Sequence, residues 1–157
     1  MKEVDYLFES IQKGDNNRLK ELLETNSKLV EVKDIRGFTP LIFATYFDNE
    51  VATNLLLEHN AKIDAKDTLG NTALIGVCFK GNLNIANKLI DGGANINAKN
   101  NDGITPLIYA TTYGKEEIVK LLLEHGANKS IKDNNGKTAY NYAQEKKLNN
   151  LQKLLKN

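Results

Sequence analysis

The sequence predicts an all-α solenoid of helix–turn–helix units joined by extended β-turn loops, and three observations predict it. A block that begins with threonine recurs at Thr39, Thr72, Thr105 and Thr138, in steps of 33 residues. A glycine stands two positions before each block, with an aspartate or asparagine three positions before each glycine. A segment rich in leucine or isoleucine follows each of the first three blocks at a constant distance. A fixed period of this kind is typical of chains in which each unit packs on its neighbours.

The turn comes first in each unit. Asp34 and Gly37 have the spacing of a tight turn, because a short polar side chain opens such turns and glycine accepts a backbone conformation that other residues resist. Thr39 then has the character of an N-cap, and Pro40 lies in the first helical turn, where its missing N–H costs nothing. The sequence therefore predicts that a helix begins directly after the turn.

Two helices follow each turn. Leu41 and Ala44 lie three residues apart and are predicted to face inward on the first helix. The second helix is predicted from about Val51 to Glu58, and it ends at Asn60, where later units have glycine. Both residue types tolerate left-handed C-cap geometry. The residues expected to be buried on the second helix are Ala52, Leu55 and Leu56.

Residues 1–157 are predicted to form a single domain, because one unit cannot bury its apolar face alone and a stack shares one core. Its units span about 1–33, 34–66, 67–99, 100–132 and 133–157. The first and last units are polar on their outer faces, so we expect them to be caps and the protein to be complete at both ends.

Composition excludes several classes of function. The chain has 157 residues, 41% of them hydrophobic, and a net charge of +1, which does not favour nucleic-acid or membrane-surface binding. Its opening residues meet charge too early for a secretory signal, and no apolar run approaches the roughly 18 residues of a membrane span. A cytoplasmic monomer is expected. Its 21 asparagines and its many lysines are typical of an AT-rich genome, and we expect a bacterial source.

No catalytic or metal centre is predicted. His59 and His125 occupy the same repeat position two units apart, on the order of 20 Å from each other at ordinary helix spacing. Cys78 falls at a position where other units have threonine or glutamine, and we expect a buried packing residue with no histidine beside it. The single cysteine excludes an internal disulfide. No enzyme activity and no cofactor are therefore expected.

The blocks Thr39-Pro40-Leu41-Ile42-Phe43-Ala44 and Thr105-Pro106-Leu107-Ile108-Tyr109-Ala110, with their period of 33, resemble the ankyrin repeat family over essentially the whole chain. The resemblance implies a non-catalytic protein–protein interaction module, such as an adaptor, inhibitor or scaffold, that binds a protein partner on its concave face. Two alternatives remain open: an effector or accessory subunit that modulates a bound enzyme, or a small-ligand binder that uses the concave groove.

The resemblance places the concave face on the turn tips and on the exposed side of each first helix. Five of the eleven aromatic residues fall at such positions, which are predicted to face solvent: Phe38, Tyr46, Phe47, Phe79 and Tyr113. Aromatic residues and arginine anchor many interfaces, so this surface is the predicted contact site. The predicted partner-binding residues are Ile35, Arg36, Phe38, Tyr46, Phe47, Leu69, Asn71, Phe79, Lys80, Ile104, Thr112 and Tyr113.

The chain departs from the family pattern in three ways. Isoleucine replaces the motif histidine at Ile42, Ile75 and Ile108, so burial must replace the hydrogen bonds that histidine would make. Gly76 lies inside a predicted helix, where glycine costs roughly 1 kcal/mol relative to alanine. Lys88 also replaces a leucine of the second helix. We therefore predict that the unit 67–99 is the least stable, with faster amide exchange across 72–91 than across 105–124.

Overall fold

A computed structural model describes residues 2–157, which form five consecutive helix pairs without a strand. A short 3₁₀ helix at Ser27–Glu31 follows the first pair. The pairs are α1 (Glu3–Lys13) and α2 (Asn16–Thr25), α3 (Pro40–Tyr46) and α4 (Glu50–Glu58), α5 (Ala73–Lys80) and α6 (Leu83–Asp91), α7 (Pro106–Thr112) and α8 (Glu116–Glu124), and α9 (Ala139–Glu145) and α10 (Asn149–Leu155). The all-α fold is thus confirmed.

The helices form two layers. The first helices, α1, α3, α5, α7 and α9, pack against one another in chain order, and so do the second helices, α2, α4, α6, α8 and α10. Between the layers, leucines repeat at intervals of 33 residues and are almost completely buried: Leu41, Leu74 and Leu107 on the first helices, and Leu56, Leu89 and Leu122 on the second. Each unit therefore completes the apolar core of its neighbours.

The repeated threonines cap the first helices as predicted. The side-chain oxygen of Thr39 accepts a hydrogen bond from the N–H of Ile42 at 3.2 Å, and Thr105 does the same for Ile108 at 3.2 Å. Pro40 occupies the first turn of α3. The isoleucines at the motif histidine position are buried, so burial does replace the hydrogen bonds that histidine would make there.

The turns also form a continuous row. The N–H of Gly37 donates to the carbonyl of Asp34, and the N–H of Thr68 in the next turn donates to the carbonyl of Arg36 at 3.2 Å. Gly37 has a positive φ of 74°. A β-carbon on Gly37 would lie only 2.9 Å from the backbone nitrogen of Thr68. Glycine is therefore needed both for the backbone conformation and for the close approach of the next turn.

The second helices end where the sequence predicts. Asn60 has a φ of 62°, in the same left-handed region as Gly93 and Gly126. Just before these residues, Nδ1 of His59 donates to the carbonyl of Leu55 at 2.8 Å, and His125 makes the same bond to Leu121. Leu55, which is predicted to be buried, is half-buried and packs against the core. In residues 2–157, no helix has the length and apolar character that crossing a bilayer requires.

Candidate partner-binding groove

A groove lies between the turns and first helices of the units 34–66 and 67–99. It encloses about 490 Å³. The residues that line it, hereafter the groove residues, come mainly from two turns and from α3 and α5. They are Ile35, Arg36, Phe38, Ile42, Thr45, Tyr46, Asp67, Thr68, Leu69, Asn71, Thr72, Gly76, Phe79 and Tyr109.

One missing side chain helps to make this space. Gly76 occupies the position in α5 that Phe43, Tyr109 and Tyr142 occupy in α3, α7 and α9. A β-carbon built on Gly76 would meet no atom within 4 Å outside its own helix backbone. The regular series of aromatic rings along the first helices is therefore interrupted at the groove.

Aromatic and aliphatic side chains surround the groove. Tyr46 and Phe79 are 45% and 46% exposed, although both are large apolar residues. The ring of Tyr46 lies 5.9 Å from that of Phe38, and the ring of Phe79 packs edge-on against Tyr113 at 4.6 Å. Ile35 at one turn tip is fully exposed and Leu69 at the next is 65% exposed. Together these residues form an apolar surface that water covers in the isolated chain.

The two basic groups near the groove are engaged in ion pairs. The guanidinium of Arg36 lies over the Phe38 ring at 4.2 Å and donates two hydrogen bonds to Asp34, at 2.9 and 2.8 Å. Lys80 donates to the carbonyl of Tyr46 and lies 3.3 Å from Asp48. Neither side chain offers a free positive charge for a phosphate group.

Two ionisable side chains, Asp34 beside the groove and Tyr109 in its lining, have a shifted pKa. Burial opposes ionisation of Asp34, but the hydrogen bonds from Arg36 and from the N–H of Phe38 outweigh it and hold the pKa of Asp34 below its usual range. Burial raises the pKa of Tyr109, and the neighbouring Tyr113, Asp102 and Asp67 raise it further. The Tyr109 end of the groove thus lies in a negative field.

The structure brings together seven of the twelve predicted partner-binding residues. Ile35, Arg36, Phe38, Tyr46, Leu69, Asn71 and Phe79 line the groove, whereas Phe47, Lys80, Ile104, Thr112 and Tyr113 lie outside its lining. Tyr113 still adjoins the groove through its contact with Phe79.

Three of the predicted solvent-facing side chains are only partly exposed. Phe38, Phe47 and Ile104 are half-buried and pack against the core. The ring of Phe47 lies 4.7 Å from that of Phe43, on the side toward the first unit. The prediction of solvent-facing positions is therefore wrong for these three residues, because neighbouring side chains cover part of each one.

Sequence reasoning missed six groove residues, namely Ile42, Thr45, Asp67, Thr72, Gly76 and Tyr109. Gly76 carried a usable signal, because a glycine at an otherwise aromatic repeat position indicates a gap in the surface. Thr72 caps α5, and a capping role does not prevent a side chain from also lining a groove.

The lining of the groove, as the described residues 2–157 form it, contains no histidine, cysteine or lysine side chain. Cys78 is completely buried, and burial raises the pKa of its thiol. Among residues 2–157, no group of three or more histidine, cysteine, aspartate or glutamate side chains could hold a metal ion. The groove offers an apolar surface with polar edges.

Comparison with known families agrees with this arrangement. A family model described as ankyrin repeats in three copies matches residues 7–100 and again residues 74–157. No curated protein matches the chain. Ankyrin repeats are generally protein–protein interaction modules and are typically non-catalytic. With the matching model covering nearly all of its length, the chain belongs to the ankyrin repeat family.

Proposed function

We propose that this chain is a non-catalytic adaptor, inhibitor or scaffold that holds a protein partner in the groove. The observation that carries the proposal is the continuous exposed apolar surface formed by Ile35, Tyr46, Leu69 and Phe79 around the space at Gly76. Exposed apolar surface is costly in water, and a contiguous patch on a folded chain usually marks a contact site.

The groove is also held in shape before any partner arrives. The N–H of Asn101 donates to the carbonyl of Leu69 at 3.0 Å, and Thr68 bonds to Arg36 through both its backbone and its hydroxyl group. These bonds fix the turn tips relative to one another. Because this surface is already ordered, the binding of a partner would have only a small cost in conformational entropy on the side of this chain.

The aliphatic turn tips provide the sharpest test. A double variant, Ile35→Ser with Leu69→Ser, removes two exposed groove side chains that contribute little to the core. A matched control, Val51→Ser with Leu83→Ser, removes two aliphatic side chains that are 53% and 38% exposed on α4 and α6, outside the groove. Both variants are expected to melt within a few degrees of the wild type.

Affinity capture from the source cells, followed by mass spectrometry, then compares the three proteins as baits. We expect a protein recovered in stoichiometric amount by the wild type and the control, and at least tenfold depleted with the groove variant, since interface hot spots typically cost more than 1–2 kcal/mol. Equal recovery by all three folded baits would contradict the proposal. Phe47 is left unchanged, because it packs on Phe43 and its loss would disturb folding.

The volume of the groove favours a second candidate, an uncharged small molecule. About 490 Å³ lies within the range of roughly 300–1,000 Å³ that small-molecule sites occupy. Solvent extraction of the protein purified from its source cells, followed by mass spectrometry, separates the two candidates. A stoichiometric metabolite that the variant Gly76→Tyr lacks would favour this second function. If a captured protein proves to be an enzyme, its activity with and without this chain distinguishes an accessory subunit from a passive scaffold.

A further inference from the structure

Asp67 differs from its counterparts in the other turns. One of its carboxylate oxygens, Oδ1, accepts hydrogen bonds from the N–H groups of Leu69 and Asn71, both at 2.9 Å. The other oxygen, Oδ2, receives no hydrogen bond and no ion pair from residues 2–157. Asp67 is half-buried and lines the groove. Asp67 therefore presents an unpaired negative charge to a group that binds in the groove.

The equivalent residues in the other units all have a partner for the second side-chain atom. Asp34 receives the guanidinium of Arg36, and Asp133 receives the hydroxyl group of Tyr142. Asn100 uses its Nδ2 to donate to Asn71 at 2.9 Å. The unit 67–99 has neither the arginine nor the tyrosine that pairs with the aspartate in these other units. Leu69 stands at the position of Arg36, and Gly76 stands at the position of Tyr142. The unpaired oxygen and the empty space thus have the same origin.

We propose that the groove recognises an arginine side chain of an extended segment in the protein partner. The guanidinium of this arginine pairs with Asp67, and its aliphatic carbons occupy the space at Gly76. This inference rests on the proposed function and specifies the chemistry of the partner. Charge complementarity decides the residue type: Asp67 is anionic, and the nearby basic groups Arg36 and Lys80 already have their own carboxylates.

The chain itself contains a template for such a contact. In the preceding turn, Arg36 forks onto Asp34 through Nε and Nη2 and lies over an aromatic ring at 4.2 Å. The groove supplies the same elements around Asp67, with a carboxylate oxygen, the rings of Phe79 and Tyr109, and an open space. Arginine fits better than lysine, because its planar fork binds a carboxylate and stacks on rings at the same time.

A randomised 12-residue peptide library displayed on phage tests the proposal directly, with the folded full-length chain as bait. The main variant is Asp67→Asn, which removes the charge but should preserve the turn, because Asn100 already accepts the same two backbone bonds in the next unit, from Asp102 and Ile104. The matched control, Asp91→Asn, removes one negative charge from an exposed residue at the end of α6, outside the groove.

The wild type and Asp91→Asn are expected to select peptides that share an arginine. A synthetic peptide with the selected sequence should bind Asp67→Asn at least tenfold more weakly, and its arginine→glutamine version should lose a similar factor. The variant Gly76→Tyr, which fills the space and supplies the hydroxyl group that Asp133 receives from Tyr142, should bind neither peptide. Circular dichroism and thermal melting confirm that each bait is folded.

Three results would overturn the proposal: selected peptides without a shared arginine, equal affinity for Asp67→Asn and the wild type, or no selected peptide. A shared tyrosine instead would indicate that the groove restores the Tyr142–Asp133 pair in trans. These failures remain distinct from failure of the proposed function, because capture of a folded partner that depends on Ile35 and Leu69 does not require an arginine.

Discussion

The second and last units place opposite chemistry at the same two positions. In the unit 34–66, Phe38 and Tyr46 bring their rings to 5.9 Å from each other. In the unit 133–157, the corresponding residues are Lys137 and Glu145, whose Nζ and Oε1 form an ion pair at 2.9 Å. Both pairs bridge a turn and the end of its first helix. One pair contributes apolar surface to the groove, and the other leaves a hydrated surface.

The backbone beneath these pairs is the same. Asp34 and Asp133 each accept hydrogen bonds from two N–H groups of their own turn, and Thr39 and Thr138 each cap the helix that follows. The repeat therefore separates its structural positions from its surface positions. Recognition can change along the row of units without a change of fold, and the apolar character is concentrated in the units 34–66 and 67–99.

The largest expected effect is the loss of stability when alanine replaces a turn glycine. It compares an interior turn, on which the next turn packs, with the last turn, which has no turn after it. Gly70 and Gly136 have positive φ angles of 78° and 74°, but a β-carbon at Gly70 would lie 2.8 Å from the backbone nitrogen of Asn101, whereas one at Gly136 would meet nothing within 4 Å. Gly136→Ala should cost about 1–2 kcal/mol of unfolding free energy, for conformation alone. Gly70→Ala should cost about 3 kcal/mol or more, because the steric overlap with the next turn adds to the cost of the conformation.

Urea unfolding followed by circular dichroism measures both losses. Equal destabilisation by the two substitutions would show that the stacking of turns adds no steric constraint, and the distinction between interior and terminal turns would fail.

The next prediction concerns the transfer of the side-chain pair of the last unit into the second unit. The double variant Phe38→Lys with Tyr46→Glu gives the second unit the ion pair of the last. Stability should fall by about 1–2 kcal/mol, because the half-buried ring of Phe38 loses its apolar contacts and an exposed ion pair returns only about 0–1 kcal/mol. Partner capture should fall at least tenfold. Undiminished capture by this folded variant would remove Phe38 and Tyr46 from the binding surface.

A smaller effect concerns the polar side of the last unit. The hydroxyl group of Tyr142 donates to Asp133, which is nearly buried, so Tyr142→Phe should cost about 1 kcal/mol at neutral pH. That hydrogen bond, with some burial, raises the pKa of Tyr142 to about 12 from its ordinary value of 10.0. The folded state holds this proton more tightly than the unfolded state. Its contribution is therefore complete below pH 10 and is lost as the pH rises from about 10 to 12.

Ultraviolet titration of the tyrosines detects this group directly. The wild type should show one tyrosine that ionises near pH 12, and Tyr142→Phe should lack it. Tyr46→Phe serves as the control, because the Tyr46 hydroxyl makes no hydrogen bond within residues 2–157, and it should leave the late ionisation in place. Tyr109, whose pKa burial also raises, ionises late in all three proteins. If Tyr142→Phe kept the ionisation near pH 12, the assignment to Tyr142 would be wrong.

The smallest expected effect concerns the unit 67–99. Gly76→Ala should raise the unfolding free energy by about 0.5–1 kcal/mol, because alanine favours the helix and the added β-carbon meets open space. In the wild type, amide exchange should be faster across 72–91 than across 105–124, and Gly76→Ala should reduce that difference. Equal exchange in the two segments, or no gain in stability, would show that Gly76 does not weaken this unit.

Much of the fold could be predicted from single residues in the repeat. The threonine caps, the turn glycines and the left-handed ends at Asn60, Gly93 and Gly126 depend on hydrogen bonds and backbone preferences within a few residues. Exposure was harder to predict. Phe38, Phe47 and Ile104 occupy surface positions in the repeat, yet neighbouring side chains half cover them, and a repeat pattern contains no information about how far a ring bends toward its neighbour.

The sequence by itself determined the period, the two helices of each unit and the family, because these follow from local propensities and regular apolar spacing. Only the tertiary structure showed that a missing ring at Gly76 and an unpaired oxygen of Asp67 meet in one groove. That juxtaposition depends on the packing of one unit against the next. Side chains from three units line the same space, and whether a gap between them is filled depends on their directions in three dimensions.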